Sequence, residues 1–367
     1  MNTKKSNICC IFNHPSHYRY LIYRLMEDEL NCDFCFGNSD EGQIKQLDFS
    51  CFRKKIMNVK TKRLYVFNRM SGAFFLVFRP YKKYVLTGDI LCVSNWLILI
   101  FARLLGKQVY LWTHGWYGDE TKAKALLKKF FFGLSSGLFL YGDYAKKLMI
   151  SAGFRQDKLH VIYNSLDYDK QLAVRERVKP TSVYQDYFGN DNPVLIFTGR
   201  INKSKKIEQI IEAHQLLSKE INVFLLGDGP EIESLKTKVK NLRLDKNYWF
   251  YGACYDEDII GEFFYNATVC VSPGNIGLTA MHSAMYGCPV ITHSDFSKQM
   301  PEFEIIQKTI TGNFFEYDNV VSLSETIQLW LDKHPVKDDV LRTKCFKMMD
   351  EKYNPYYQVK VFKSVLL

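Results

Sequence analysis

The sequence predicts an α/β protein made of two Rossmann-like, doubly wound domains that face each other across a cleft. Two observations carry this. Short apolar runs alternate with helix-length segments in both halves of the chain, the pattern of parallel βα units. The alternation lapses over residues 175–193 and then restarts. A length of 367 residues also suits two domains of roughly 100–200 residues each.

The elements follow in order. Residues 7–12 read as an opening buried strand, Arg19 to Leu30 as a helix and Cys32 to Phe36 as a second strand. Arg53 to Tyr84 is dense in both Lys/Arg and Phe/Tyr. Ile90 to Val93 is strand-like, Trp96 to Leu105 helical and Gln108 to Trp112 a strand. Thr121 to Tyr141 interleaves lysines with Leu and Phe, as a packed helix with solvated lysines or a membrane-interface segment would. Val161 to Ser165 reads as a strand ending in a polar turn. The aperiodic, proline-bearing residues 175–193 read as the interdomain linker. Beyond it come strands at Val194 to Thr198, Asn222 to Leu226, Trp249 to Tyr251 and Thr268 to Val271, with helices between them. The expected domains are residues 1–178 and 179–345, with a C-terminal helix in 346–367 returning to the first.

A hydrophobic content of 47% with 24% charged residues fits a protein with a substantial core. The ten cysteines are scattered, mostly in apolar runs, and read as reduced core residues. Met1 to Ser6 is polar and Ile8 to Phe12 is too short for a signal peptide. Ile90 to Leu105, interrupted by Asn95 and Arg103, falls short of the ~20 apolar residues a membrane span needs. The expected location is cytoplasmic, with peripheral attachment to the cytoplasmic face of a membrane. Residues 1–180 hold 29 Lys and Arg against 15 Asp and Glu, a balance of +14 that leaves −4 for the remainder. A basic first half points to an acidic surface, and an anionic membrane is the candidate. Nucleic acid is not expected, because no recognisable reader motif occurs there.

The stretch VSPGNIGLTAMHSAMYGCPVIT, residues 271–292, places a Gly-containing loop before a helix. Such a loop turns free N–H groups and the positive end of the helix dipole toward an anion. Arg200 and Lys205 follow the first strand of the same domain and supply cations for a diphosphate. In the first half, His114 stands at the end of a strand beside Gly115. Ligands gather at that edge of an open sheet.

Together these pieces resemble the retaining GT-B glycosyltransferases of family 4, the glycosyl transferases group 1. The matching segments are FTGRINKSKK, LLGDGP (225–230), the Tyr251-Gly252 turn, GLTAMHSAMYGCPVIT and Pro301-Glu302 with Thr311-Gly312. In the first half the likeness rests on His114 and VIYNSLD (161–167). The resemblance implies transfer of a sugar from a nucleotide-sugar donor to a lipid-linked oligosaccharide or polysaccharide, with retention and without a metal or other cofactor. His114, Arg200 and Lys205 take the catalytic roles. Donor contacts fall to Gly274, Asn275, Ile276, Gly277, Leu278, Thr279, His282, Tyr251, Gly252, Cys254 and Glu302. His14, His17 and Trp116 are the acceptor-side candidates. Asp256-Glu257-Asp258 spells a metal-binding D-x-D but reads as a helix start.

There is one departure. The family carries two glutamates eight positions apart in the loop and its helix, and here they fall on Gly274 and His282. His282 retains hydrogen-bonding capacity toward a ribose; Gly274 has none toward a sugar. An alternative is therefore a non-catalytic nucleotide-binding module in a polysaccharide synthase complex.

Overall fold

The computed structural model describes residues 6–38 and 46–367; the polar opening of the chain before Ser6 lies outside them. Two compact units result: Met1–Tyr168 with Asn354–Leu367, and Asp169–Tyr353.

Among the described residues, the first unit is built on an eight-stranded sheet of order β4-β3-β2-β1-β5-β6-β7-β8. The strands are β1 (Ile8–Phe12), β2 (Asp33–Asn38), β3 (Met57–Leu64), β4 (Phe67–Met70), β5 (Lys83–Thr87), β6 (Gln108–Thr113), β7 (Gly137–Leu140) and β8 (Leu159–Val161). The helices packed on it are α1 (Tyr20–Leu30), α2 (Val93–Leu104), α3 (Lys122–Gly133), α4 (Asp143–Ser151) and, from the end of the chain, α13 (Pro355–Leu366). Successive residues of a strand face opposite sides, and both sides here are covered. Ile8, Cys10 and Phe12 join Tyr23 of α1 and Phe362 of α13 in one core layer. Cys9 and Ile11 join Leu99 of α2 and Phe131 of α3 in the other.

All these strands pair in parallel except β3 with β4. That antiparallel hairpin forms the sheet edge and occupies much of the aromatic-basic stretch. The strand expected at Ile90 to Val93 lies earlier, at Lys83–Thr87. Asp89 makes a turn there, accepting from the Leu91 N–H at 2.9 Å, and α2 begins at Val93.

The second unit has six parallel strands in the order β11-β10-β9-β12-β13-β14. They are β9 (Val194–Thr198), β10 (Asn222–Leu226), β11 (Tyr248–Gly252), β12 (Val269–Ser272), β13 (Val290–His293) and β14 (Gly312–Phe315). Its helices are α5 (Tyr168–Arg177), α6 (Val183–Phe188), α7 (Glu208–His214), α8 (Ile232–Asn241), α9 (Glu257–Asn266), α10 (Leu278–Met285), α11 (Val320–Lys333) and α12 (Asp339–Glu351). The strand order reverses between β9 and β12, which makes their carboxyl ends the topological switch point.

Residues 175–193 are not an open linker. They contain α6, whose Tyr184 is buried, stacks edge-on against Phe224 and donates to the Phe263 carbonyl at 2.9 Å. α5 also belongs to the second unit: Arg175 pairs with Asp350 at 3.0 Å. One buried tyrosine holds a segment too short to show helical periodicity.

Candidate functional site

The loops that leave β9, β10 and β12 meet at one edge of the second unit, and backbone contact brings them there. Gly199 donates to the Leu226 carbonyl at 3.0 Å and Ile201 to the Asp228 carbonyl at 2.9 Å. Gly227 permits this approach, since a Cβ on it would lie 1.9 Å from the Gly199 oxygen.

The loop after β12 is seated by the same kind of contact. Gly274 donates to the Lys205 carbonyl at 3.0 Å. A Cβ at Gly274 would meet the Ser204 oxygen at 2.2 Å and Lys205 Cα at 2.7 Å. Position 274 thus has no room for a side chain, because the backbone of residues 204–205 fills its place.

Three side chains hold the rest of the loop. The Lys205 ammonium donates to the Asn275 carbonyl at 2.6 Å and its Oδ1 at 2.8 Å. With three N–H donors on an ammonium, one is left beyond these two. Burial pushes the Lys205 pKa below its ordinary value, and the charge of Glu302 opposes that shift. Glu302 itself is buried, in the 3-10 turn Pro301–Ile305 that packs on α10. Gln299, also buried, accepts from the Ile276 N–H at 2.8 Å and donates to Thr292 Oγ1 and the His293 carbonyl. Thr279 donates from Oγ1 to the Thr198 carbonyl at 3.0 Å, tying the first turn of α10 to the end of β9.

Gly277 precedes α10 and no side chain caps the helix. The first N–H groups of a helix lack intrahelical partners, and with no capping side chain the positive dipole end is presented bare. Arg200, exposed, follows β9 at the same edge. The arrangement is chemically an anion seat: backbone N–H groups, a lysine anchored in the loop and a surface arginine.

His282 lies one turn further along α10. Gln171 of α5 donates from Nε2 to Glu257 Oε1 at 2.9 Å and approaches His282 Nδ1 at 3.1 Å. Nδ1 thus lies between the Gln171 amide and the Glu257 carboxylate, while Nε2 has no partner among the described residues. Glu257 Oε1 also accepts from Tyr286 at 2.7 Å and lies 3.4 Å from His282 Nδ1. Burial alone would raise the Glu257 pKa. Its contacts with His282, Tyr286 and Gln171 outweigh that and hold it down at about 2. A carboxylate is therefore present behind His282, supplied by α9.

The Asp256-Glu257-Asp258 run starts α9, and its three carboxylates diverge. Asp256 caps the helix by accepting from the Asp258 N–H, Glu257 turns to His282 and Tyr286, and Asp258 pairs with Arg177. Among the described residues, no group of three or more His, Cys, Asp or Glu side chains is placed to hold a metal ion. Tyr251 is exposed at the end of β11, Gly252 turns the chain with φ +96°, and Cys254 Sγ contacts the Asp256 carbonyl at 3.8 Å.

In the first unit, His114 follows β6. Burial pushes its imidazole down to about 4, and the cations Arg19 and Lys128 add to the shift. Its ring centre lies 4.6 Å from that of Tyr141, and its buried Nδ1 has no hydrogen-bond partner among the described residues. Lys128 is buried and holds the loop after His114, donating to the Gly115 carbonyl at 2.8 Å and Glu120 Oε1 at 2.7 Å. Glu120 in turn accepts from the Tyr117 and Gly118 N–H groups, both at 2.9 Å. Trp116 is only 9% exposed and packs edge-on against Phe154, so the structure places this acceptor-side candidate in the core. His17 is exposed and His14 half-buried in the turn after β1.

Sequence reasoning missed Arg19, Lys128, Glu120, Gln171 and Gln299. Arg19 donates to Tyr141 and lies 4.8 Å from the Trp112 ring centre. None belongs to a motif. Arg19, Gln171 and Gln299 act through partners that only the fold brings near, and Glu120 and Lys128 through the shape of the loop between them.

Residues 185–344 match the family model described as Glycosyl transferases group 1. An uncharacterised 41.2 kDa protein in the cps region of Klebsiella pneumoniae is 26% identical over 230 residues. That alignment takes in 60% of this chain, and the chain spans 59% of the relative's length. Among solved structures, Anabaena HepE in complex with UDP aligns with a TM-score of 0.72 and 13% identity, covering 98% of this chain and 99% of that one. The lipopolysaccharide outer core galactosyltransferase WaaB, in its apo form, aligns with a TM-score of 0.72 and 13% identity over 98% of each chain. These likenesses establish a GT-B fold, and the stretch that matches Glycosyl transferases group 1 contains every loop of the anion seat in the second unit.

Proposed function

We propose that this protein is a glycosyltransferase that takes a nucleotide-sugar donor in its second unit and a glycan or lipid-linked glycan acceptor in its first. The observation that carries the reading is the uncapped start of α10, held by Lys205, Gln299 and Thr279 within the matched stretch. The N–H groups of this seat, the third donor of Lys205 and Arg200 would bind the diphosphate and stabilise negative charge as the nucleoside diphosphate departs. His282 would offer Nε2 to the nucleotide ribose. His114, neutral at ordinary pH, serves as the polar group of the first unit, with His14 and His17 on the acceptor side. HepE has been captured with UDP and with UDP-glucose, which makes a uridine nucleotide the first donor to try. The position of the Klebsiella relative in a cps region supports a polysaccharide acceptor. Transfer with retention and independence of metal complete the proposal.

The test is calorimetric titration with UDP. A charge-assisted hydrogen bond contributes about 1.5–3 kcal/mol, so Arg200→Ala weakens UDP binding by about 10- to 150-fold. Undiminished affinity in that variant refutes the seat. The replacement of both family glutamates, by Gly274 and His282, favours a second reading as a nucleotide-binding module without turnover. Release of UDP from any sugar donor in the presence of acceptor and EDTA rejects it.

A further inference from the structure

The first unit carries an apolar face that its own core does not use. α2 is hydrophobic nearly all round. Ile98, Leu99 and Ala102 pack on the sheet, while Ile100, Phe101 and Leu104 point outward. A helix of this kind is ordinarily enclosed on every side, yet Leu104 is 75% exposed. The face continues in both directions. Phe101 meets Phe74 and Phe78 of the neighbouring 3-10 turn Ala73–Phe78, where Phe75 is 68% exposed. On the other side Trp96 stacks on Phe130 of α3, which is 62% exposed beside Leu126 at 71%. Contiguous apolar surface of this extent marks an interaction site.

Its charges say which partner fits. The 3-10 turn, α2 and α3 contain no Asp or Glu, whereas Arg103, Lys122 and Lys124 are exposed among the apolar side chains and Arg79 closes the turn. Of the nearby carboxylates, Glu120 is bound to Lys128 and Asp89 to Asn68 and the Leu91 N–H. Asp119 stands in the loop before α3. Aromatic and aliphatic side chains rimmed by cations match the boundary between lipid headgroups and acyl chains, where anionic headgroups attract Lys and Arg. No described helix is long and apolar enough to cross a membrane, so the contact lies in the plane of the interface. We propose that this face docks the first unit on an anionic bilayer, with Phe75, Leu104, Leu126 and Phe130 entering the interface and Arg103, Lys122 and Lys124 meeting lipid phosphates.

Co-sedimentation with vesicles tests this. Wild-type protein binds phosphatidylglycerol–phosphatidylcholine vesicles at least about tenfold more tightly than pure phosphatidylcholine, and salt reverses the difference. Lys122→Glu with Lys124→Glu abolishes the preference for the anionic lipid. Leu104→Gln with Phe130→Gln lowers binding to both vesicle types by about tenfold or more, using exposed positions that leave the fold intact. UDP binding by the second unit stays at the wild-type level in both variants. Failure of wild-type protein to bind at low salt overturns the proposal, as does binding unchanged in both variants. Self-association that Leu104→Gln with Phe130→Gln removes, without vesicle binding, overturns it in favour of a second copy of the chain.

Discussion

Gly274→Ala is the smallest change that strikes the candidate site without touching a polar side chain. The added methyl would lie 2.2 Å from the Ser204 oxygen and within 2.8 Å of two Lys205 backbone atoms. These are main-chain atoms in a turn held by its own hydrogen bonds, so they cannot rotate away as a side chain would. Overpacking of this kind costs about 1–3 kcal/mol. Separating the loops also breaks the Gly274–Lys205 bond and pulls Asn275 from the Lys205 ammonium. Each lost hydrogen bond adds about 1 kcal/mol. A total of about 4–6 kcal/mol lowers the melting temperature of a unit this size by about 8–24 °C. Differential scanning calorimetry reads that shift, and UDP titration on the same sample reads the seat, which weakens by about tenfold or more when its loop is displaced. A Gly274→Ala protein that melts and binds UDP like the wild type refutes both the packing argument and the identification of this loop. Gly274→Glu is predicted to be worse still.

Two predictions concern the first unit. His114 is held at about 4 against an unfolded value near 6.5, so the unfolded chain binds more protons across that window. Its contribution to stability is complete above pH 6.5 and is lost as pH falls to 4, a change of roughly 3 kcal/mol at most. His114→Gln therefore flattens the acid side of a denaturation-midpoint against pH profile, and a slope parallel to wild type contradicts the buried placement. Lys128→Met removes one partner of an ion pair whose side chains are 8% and 1% exposed. It costs about 3–5 kcal/mol by chemical denaturation, part of which Glu120→Gln restores. No loss would show that Glu120 is sufficiently held by the Tyr117 and Gly118 N–H groups.

The second unit was the more legible half. Its central strands are short, largely buried apolar runs, and β9 and β10 fall where the runs predict them. Asp256 capped α9 as an acidic residue at a helix start should. The first unit was harder because its apolar residues serve two purposes. Phe and Leu in α2 and α3 both fill the core and cover the surface, which blurs periodicity, and the β3–β4 hairpin was hidden in a run of cations. In the candidate site, the sequence marks out the loop and its neighbours but reads position 274 as a missing contact. The reason for glycine there is a backbone approach from residues 204–205, which no local pattern encodes. The carboxylate of Glu257 behind His282 was equally invisible, since 25 positions separate them and a turn of α9 supplies the geometry.

The last helix has a consequence for how the chain acquires its structure. Val359, Phe362 and Leu366 of α13 are buried in the same layer as Trp112 and Phe139, and Gln358 locks the turn after β8 through Ser165 and the Tyr163 carbonyl. Burying such side chains stabilises by about 1.5–3 kcal/mol each. The first unit is thus discontinuous, and a ribosome has made all of the second before the piece that completes it emerges. The unit translated later can reach its native core first, while the earlier one waits with an apolar groove open. Vectorial synthesis therefore delivers the last piece of the first unit after the whole of the second.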